Sequence, residues 1–204
     1  LGIHIQNDLK WSKQVAKVTS EVTYALSVLK RLRDVIGLRE LRTIADGLVM
    51  SKLRYCLPVY GAEFLRLRDT DPQSMLMLRM QRAQNDMLRI LTRKRRRDHV
   101  RIVDMLKETK FLSINQSIAY SLFVKAWKAR QFEVPILGNL LMRKRNDART
   151  LRLDSANKVS SIGNDTVALR CANLWNMTSD RFRSTNLLTV AKKEARILSM
   201  SLPP

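Results

Sequence analysis

The sequence predicts a mainly α protein: a helical bundle, then a second small helical region, with a short strand at the N-terminus. Three observations lead there. Leu, Met, Ala, Arg and Lys dominate the 204 residues, and these types favour helix over sheet. Gly (6) and Pro (5) are scarce, and aromatic residues make up only 6%. Apolar positions recur at spacings of three and four along most of the chain, the signature of amphipathic helices. At 45% apolar, the chain can bury a real core.

The elements follow in order. In "LGIHIQNDLKW" (1–11), Leu1, Ile3 and Ile5 alternate with His4 and Gln6, a short strand signal closed by a turn at Asn7-Asp8. Ser12 is a candidate N-cap. After it Val15, Val18, Val22, Ala25, Leu26, Leu29, Leu32 and Ile36 mark a long helix, with Gly37 as its expected C′ residue. Leu38, Leu41, Ile44, Ala45, Leu48, Val49 and Leu53 mark a second, closed by Pro58 and Gly61. A third runs over 70–92, with Asp71 as N-cap, Pro72 at N1 and a stripe of Leu76, Met80, Ala83, Met87, Ile90 and Leu91. The bundle core expected from these three is Val15, Val22, Leu29, Leu41, Leu48, Leu76, Ala83 and Ile90.

Beyond it, Asp98 is positioned to cap a short helix through Leu106. Ser113 and Gln116 fit a capping box that opens a helix carrying Ile118, Leu122, Ala126 and Ala129, with Pro135 as its stop. Residues 143–166 are polar and basic and read as a loop, with a short strand at 150–153. Two more helices fit near 166–176 and 185–200.

Charge is the strongest compositional fact. Lys and Arg total 38 against 18 Asp and Glu, a net of +20. Residues 71–150 carry most of the excess, with 18 basic against 7 acidic. Five basic residues in a row, Arg93, Lys94, Arg95, Arg96 and Arg97, follow the third helix directly, and such a block marks an exposed interaction surface. Arg79, Arg82, Arg89 and Arg93 lie along one side of that helix, roughly opposite Met80 and Met87. A row of guanidinium groups can track a phosphate backbone, so the expected partner is nucleic acid. Trp11, Trp127 and Trp175 read as core anchors before base-stacking platforms.

No catalytic constellation is legible. His4 and His99 are isolated, no zinc-ligand cluster exists, and there is no Gly-rich phosphate loop. Asp104 and Glu108 read as a helix surface balanced by Arg101 and Lys107, so no catalytic or metal residue is expected. Cys56 and Cys171 read as reduced thiols of a nuclear or cytoplasmic protein. No run of 18 uncharged apolar residues is present, so no membrane span is expected. Leu1 opens the chain without a signal-peptide pattern, which reads as a fragment of something longer.

Several short stretches combine into a family resemblance. "LGIHIQNDLKW" with Leu1, Gly2, Ile3, Leu9 and Trp11, then Tyr60-Gly61, then the Gln-rich segment 81–91, resembles the end of the palm and the thumb of non-LTR (LINE-type) retrotransposon reverse transcriptases. Leu174, Trp175 and Asn176 match a Leu-Trp-Asn element found near the C-terminus of many members, although Thr178 and Ser179 stand where Leu-Pro is usual. The resemblance runs in good order from residue 1 to about 130 and patchily to 190.

It implies a chain divided into the end of the palm and a primer-grip-like strand (1–11, with Leu1 and Gly2), a thumb-like three-helix bundle (12–97), a helical extension (98–134), and a basic loop with C-terminal helices (135–204). It implies partners in RNA and DNA, held as template–primer duplex, and in the upstream fingers and palm of the same polyprotein. The polymerase aspartates and their Mg²⁺ would belong to that upstream part, so this chain needs no cofactor and has no catalysis of its own. A thumb holds any sequence, so it needs dense charge aimed at the backbone and little base readout. Other readings are a nuclear-localisation signal at Arg93–Arg97, a small nuclease, and a basic helical interaction protein.

Overall fold

The structure, a computed structural model, describes residues 2–7, 10–132 and 167–204. These are mainly helical, with no strand among them. The expected loop at 143–166, the strand at 150–153 and the stop at Pro135 lie outside the described residues. Two compact units emerge: Leu1–Leu57 with Thr70–Asn115 and Pro204, and Pro58–Asp69 with Gln116–Pro203.

In the first unit, helix α1 (Ser12–Leu32) turns Val15, Val18, Val22, Ala25 and Leu29 inward at alternating spacings of three and four. Helix α2 (Leu38–Ala45) passes through a π-helical turn (Asp46–Met50) into α3 (Ser51–Arg54). Helix α4 (Leu57–Gly61) belongs to the second unit from Pro58 on; the first unit continues with α5 (Met75–Thr92) and α6 (Ile102–Thr109). The α1 helix, the 38–54 rod and α5 each pack on the other two, and α6 packs on α5.

Several local expectations fail, each for a physical reason. Residues 3–6 form no strand; two glutamine side chains tie this segment to the start of α1. The Gln14 side-chain oxygen accepts from the His4 amide at 2.9 Å. That of Gln6 accepts from Ser12 Oγ at 3.0 Å and from the Lys13 amide at 2.9 Å. Gln6 thus satisfies an open amide at the N-terminus of α1, the role expected of Ser12. Gly37 is not a C′ residue. It stands at the N-cap of α2, with extended backbone, and a Cβ there would meet the Glu40 carboxylate at 2.6 Å.

The expected core also shifts. Val15, Val22, Leu29 and Leu41 are buried, but Leu48 is 39% exposed, and Leu76, Ala83 and Ile90 are only half-buried. The π turn explains Leu48: wider winding rotates the register, so that Val49 and Met50 point inward instead. In α5 the buried face is Met77, Met80, Gln84, Met87, Leu88 and Leu91. The polar Gln84 is fully buried because its Nε2 donates to the Leu112 carbonyl at 2.6 Å and reaches Met50 Sδ at 3.7 Å. A stripe read from apolar letters alone omits it; that stripe is right at Met80, Met87 and Leu91 and misplaced at Leu76, Ala83 and Ile90. The helix also starts later than Asp71-Pro72, at Met75, where the Ser74 hydroxyl accepts from the Leu76 amide. Asp98 closes a short 3-10 turn (Arg96–Asp98), and α6 starts only after Arg101.

The second unit is built around α7 (Ile114–Gln131), whose Ile118, Leu122, Phe123, Ala126 and Trp127 are buried. Helices α8 (Val167–Met177), α9 (Asp180–Ser184) and α10 (Leu188–Met200) complete it. Phe182 meets Phe123 and Trp175 edge-on, with ring centroids 6.1 and 5.8 Å away. Trp127 Nε1 donates to the Thr185 carbonyl at 2.8 Å, so Trp127 and Trp175 are core anchors, as the sequence suggests. Both cysteines are free thiols. Burial pushes the Cys171 thiol up to about 12, with Lys125 pulling the other way.

Candidate nucleic-acid interface

The interface grows from the face of α5 opposite its buried stripe. At about 100° per residue, Arg79, Arg82 and Arg89 share the side turned away from Met80, Gln84 and Met87. Arg79 and Arg82 are exposed, and neither has an acidic partner among the described residues. Arg89 is half-buried and pairs with Asp86 at 3.4 Å.

The five-residue basic block is a folded turn. Arg93 ends α5 in the left-handed region (φ 57°), the C-cap conformation that glycine usually takes. Its Nη2 donates to the Arg33 carbonyl at 3.0 Å, just past the end of α1. The Arg95 amide donates to Asp98 Oδ2 at 2.6 Å, and the Asp98 amide returns a bond to the Arg95 carbonyl at 3.1 Å. His99 is left-handed as well (φ 49°), so a left-handed residue stands on each side of the turn. Arg96 folds back onto Asp86, with Nη2 at 3.1 and 3.4 Å from its two oxygens. Lys94, Arg95 and Arg97 stay exposed, their side chains without an acidic partner among the described residues.

Thus Arg79, Arg82, Lys94, Arg95 and Arg97 are the available cations, while Arg89, Arg93 and Arg96 are already engaged. The ends of α1 and α5 meet at the Arg93–Arg33 bond, which brings exposed Lys30 and Arg31 to the same end of the unit. Two helix C-termini with partial negative charge favour basic residues there. Sequence reasoning missed Lys30, Arg31 and Asp86. Asp86 was legible: it stands four residues after Arg82 and three before Arg89, on the same face. Of the primer-grip-like pair, Leu1 lies outside the described residues. Gly2 is exposed and borders a cavity of about 300 Å³ with Gln14, Lys17, Glu21, Lys52 and Tyr55. That cavity adjoins the first half of α1, whereas the basic turn adjoins its last residues, so the structure does not bring Gly2 to the arginine turn.

The chain matches no known protein family, no curated protein and no solved structure. The interface is therefore read on its own geometry. The helix face presents guanidinium groups that have no acidic partner among the described residues. Such a surface suits the sugar-phosphate backbone better than base edges. Among the described residues no three His, Cys, Asp or Glu side chains gather as metal ligands would, and no helix is long and apolar enough to cross a membrane.

Proposed function

We propose that the first unit grips the backbone of a template–primer duplex without regard to sequence, as the thumb of a non-LTR retroelement reverse transcriptase would. The observation that carries this reading is a set of five cations, Arg79, Arg82, Lys94, Arg95 and Arg97, without an acidic partner among the described residues, on the outer face and C-terminal turn of one helix. Helix α5 buries its opposite face in the unit's core, so these cations sit on a rigid support. The three mutually packed helical segments serve as a thumb-like bundle in this reading. Polymerisation, with its aspartates and Mg²⁺, belongs to the upstream part of the parent protein, and this chain contributes holding and no chemistry.

The test is binding of the chain to an RNA–DNA hybrid, to two unrelated DNA duplexes and to anionic lipid vesicles, at several salt concentrations. The expected result is similar affinity for all three duplexes, a log K that falls linearly with log salt at about 0.9 per phosphate contacted, and weaker retention on vesicles. Preference for vesicles, or strong discrimination between the DNA sequences, overturns the reading.

A further inference from the structure

We infer that Asp86 is a built-in competitor for the phosphate backbone, which holds Arg96 and Arg89 back and keeps the grip loose. The inference rests on the phosphate-binding reading of the same face and deepens it. Asp86 stands within the arginine row, between Arg82 and Arg89. One of its oxygens is 3.1 Å from Arg96 Nη2 and 3.4 Å from Arg89 Nη1. Its side chain is 39% exposed and that of Arg96 is 78% exposed, so the pair is formed in solvent.

A carboxylate and a phosphodiester offer the guanidinium fork the same thing, two anionic oxygens at hydrogen-bonding distance. Asp86 thus occupies, on the protein's own surface, the place a backbone phosphate would take on Arg96. An exposed ion pair is weak and screened by salt, so an incoming phosphate can displace it. The displacement lowers the net gain, and the remaining carboxylate repels the phosphate that replaced it. A surface that must release one register of duplex to take the next benefits from such a competitor. Neither Arg79 nor Arg82 has one among the described residues, so the braking is confined to the C-terminal half of α5 and the turn.

The opposite role is a pure anchor, in which Asp86 holds Arg96 in the position that binds. The two roles move affinity in opposite directions. Asp86→Asn keeps shape and a hydrogen-bond acceptor while removing the charge. The measurement is the affinity of the parent chain and of D86N for a short RNA–DNA hybrid across a salt series, with Arg96→Ala placed in both backgrounds. Competition predicts that D86N binds roughly three- to tenfold tighter at low salt, the scale of one unit charge acting at contact distance through water. It also predicts a salt slope steeper by about one unit, for one more phosphate neutralised. Arg96→Ala should then weaken binding several-fold more in D86N than in the parent. Equal or weaker binding by D86N, with an unchanged unfolding midpoint, assigns Asp86 as an anchor and overturns the inference. A parent chain without salt-dependent binding brings down the phosphate-binding reading itself, an outcome distinct from the anchor result.

Discussion

Two arginine-rich stretches of this chain are used in opposite ways. In the first unit, Lys94, Arg95 and Arg97 reach into solvent without an acidic partner among the described residues. In the second, Arg181 and Arg183 are turned on their own unit. The Arg183 side chain is only 7% exposed and donates to the carbonyls of Trp175 and Asn176 in the last turn of α8, to that of Thr178 just past it, and to Asp180. Arg181 pairs with Glu194 of α10 at 3.5 Å. Arg183 adds donors to the carbonyls at the end of a helix, while Lys94, Arg95 and Arg97 add almost nothing to the fold. The lesson is that a count of basic residues measures available charge poorly. What matters is how many guanidinium groups the fold leaves unoccupied.

Mutations in the two stretches should therefore separate stability from binding. The largest stability loss belongs to the first unit's core. Leu29→Ala empties a fully buried site and should cost on the order of 2–5 kcal/mol in denaturant unfolding. Arg183→Ala removes the donor to the Asn176 and Thr178 carbonyls and should cost about 1–3 kcal/mol, with duplex affinity little changed. Gln84→Ala removes the donor to the Leu112 carbonyl and should cost about 1–3 kcal/mol, read as a lower unfolding midpoint. The alkaline limb gives a subtler contrast. Burial holds the Cys171 thiol at about 12 against 9.0 in the unfolded chain. The folded state keeps that proton after the unfolded state has lost it. The contribution is thus intact below pH 9 and lost as pH rises from there toward 12. Cys171→Ala should make the fall in stability over that interval shallower, as measured by unfolding at successive pH values.

The sequence makes some of this legible and hides the rest. The inward stripe of α1 is readable because all its members but Gln14 are apolar, and the arginine row of α5 because its spacing is helical. The buried face of α5 is misread at Leu76, Ala83 and Ile90 because a fully buried glutamine takes part in it, and no apolar count sees Gln84. Leu48 is misread because a π turn changes the register inside an otherwise regular pattern. The expected strand at residues 3–6 rests on alternation alone, but a strand needs a partner, and this segment is held by Gln6 and Gln14 instead. At the interface, the sequence places all eight basic candidates on α5 or directly after it. It does not tell which of them are engaged, because Arg96 reaches back ten residues to Asp86 and Arg93 reaches sixty to Arg33.

The most direct measurement is the salt dependence of hybrid binding for the parent chain and for the triple variant Lys94→Ala, Arg95→Ala, Arg97→Ala. These three side chains are exposed and have no acidic partner among the described residues, so unfolding should move by no more than about 0.5 kcal/mol. If they hold phosphates, the variant binds every duplex more weakly and its slope of log K against log salt is flatter by roughly two to three units. Equal affinity and equal slope, with the fold intact, would contradict a backbone grip at this turn.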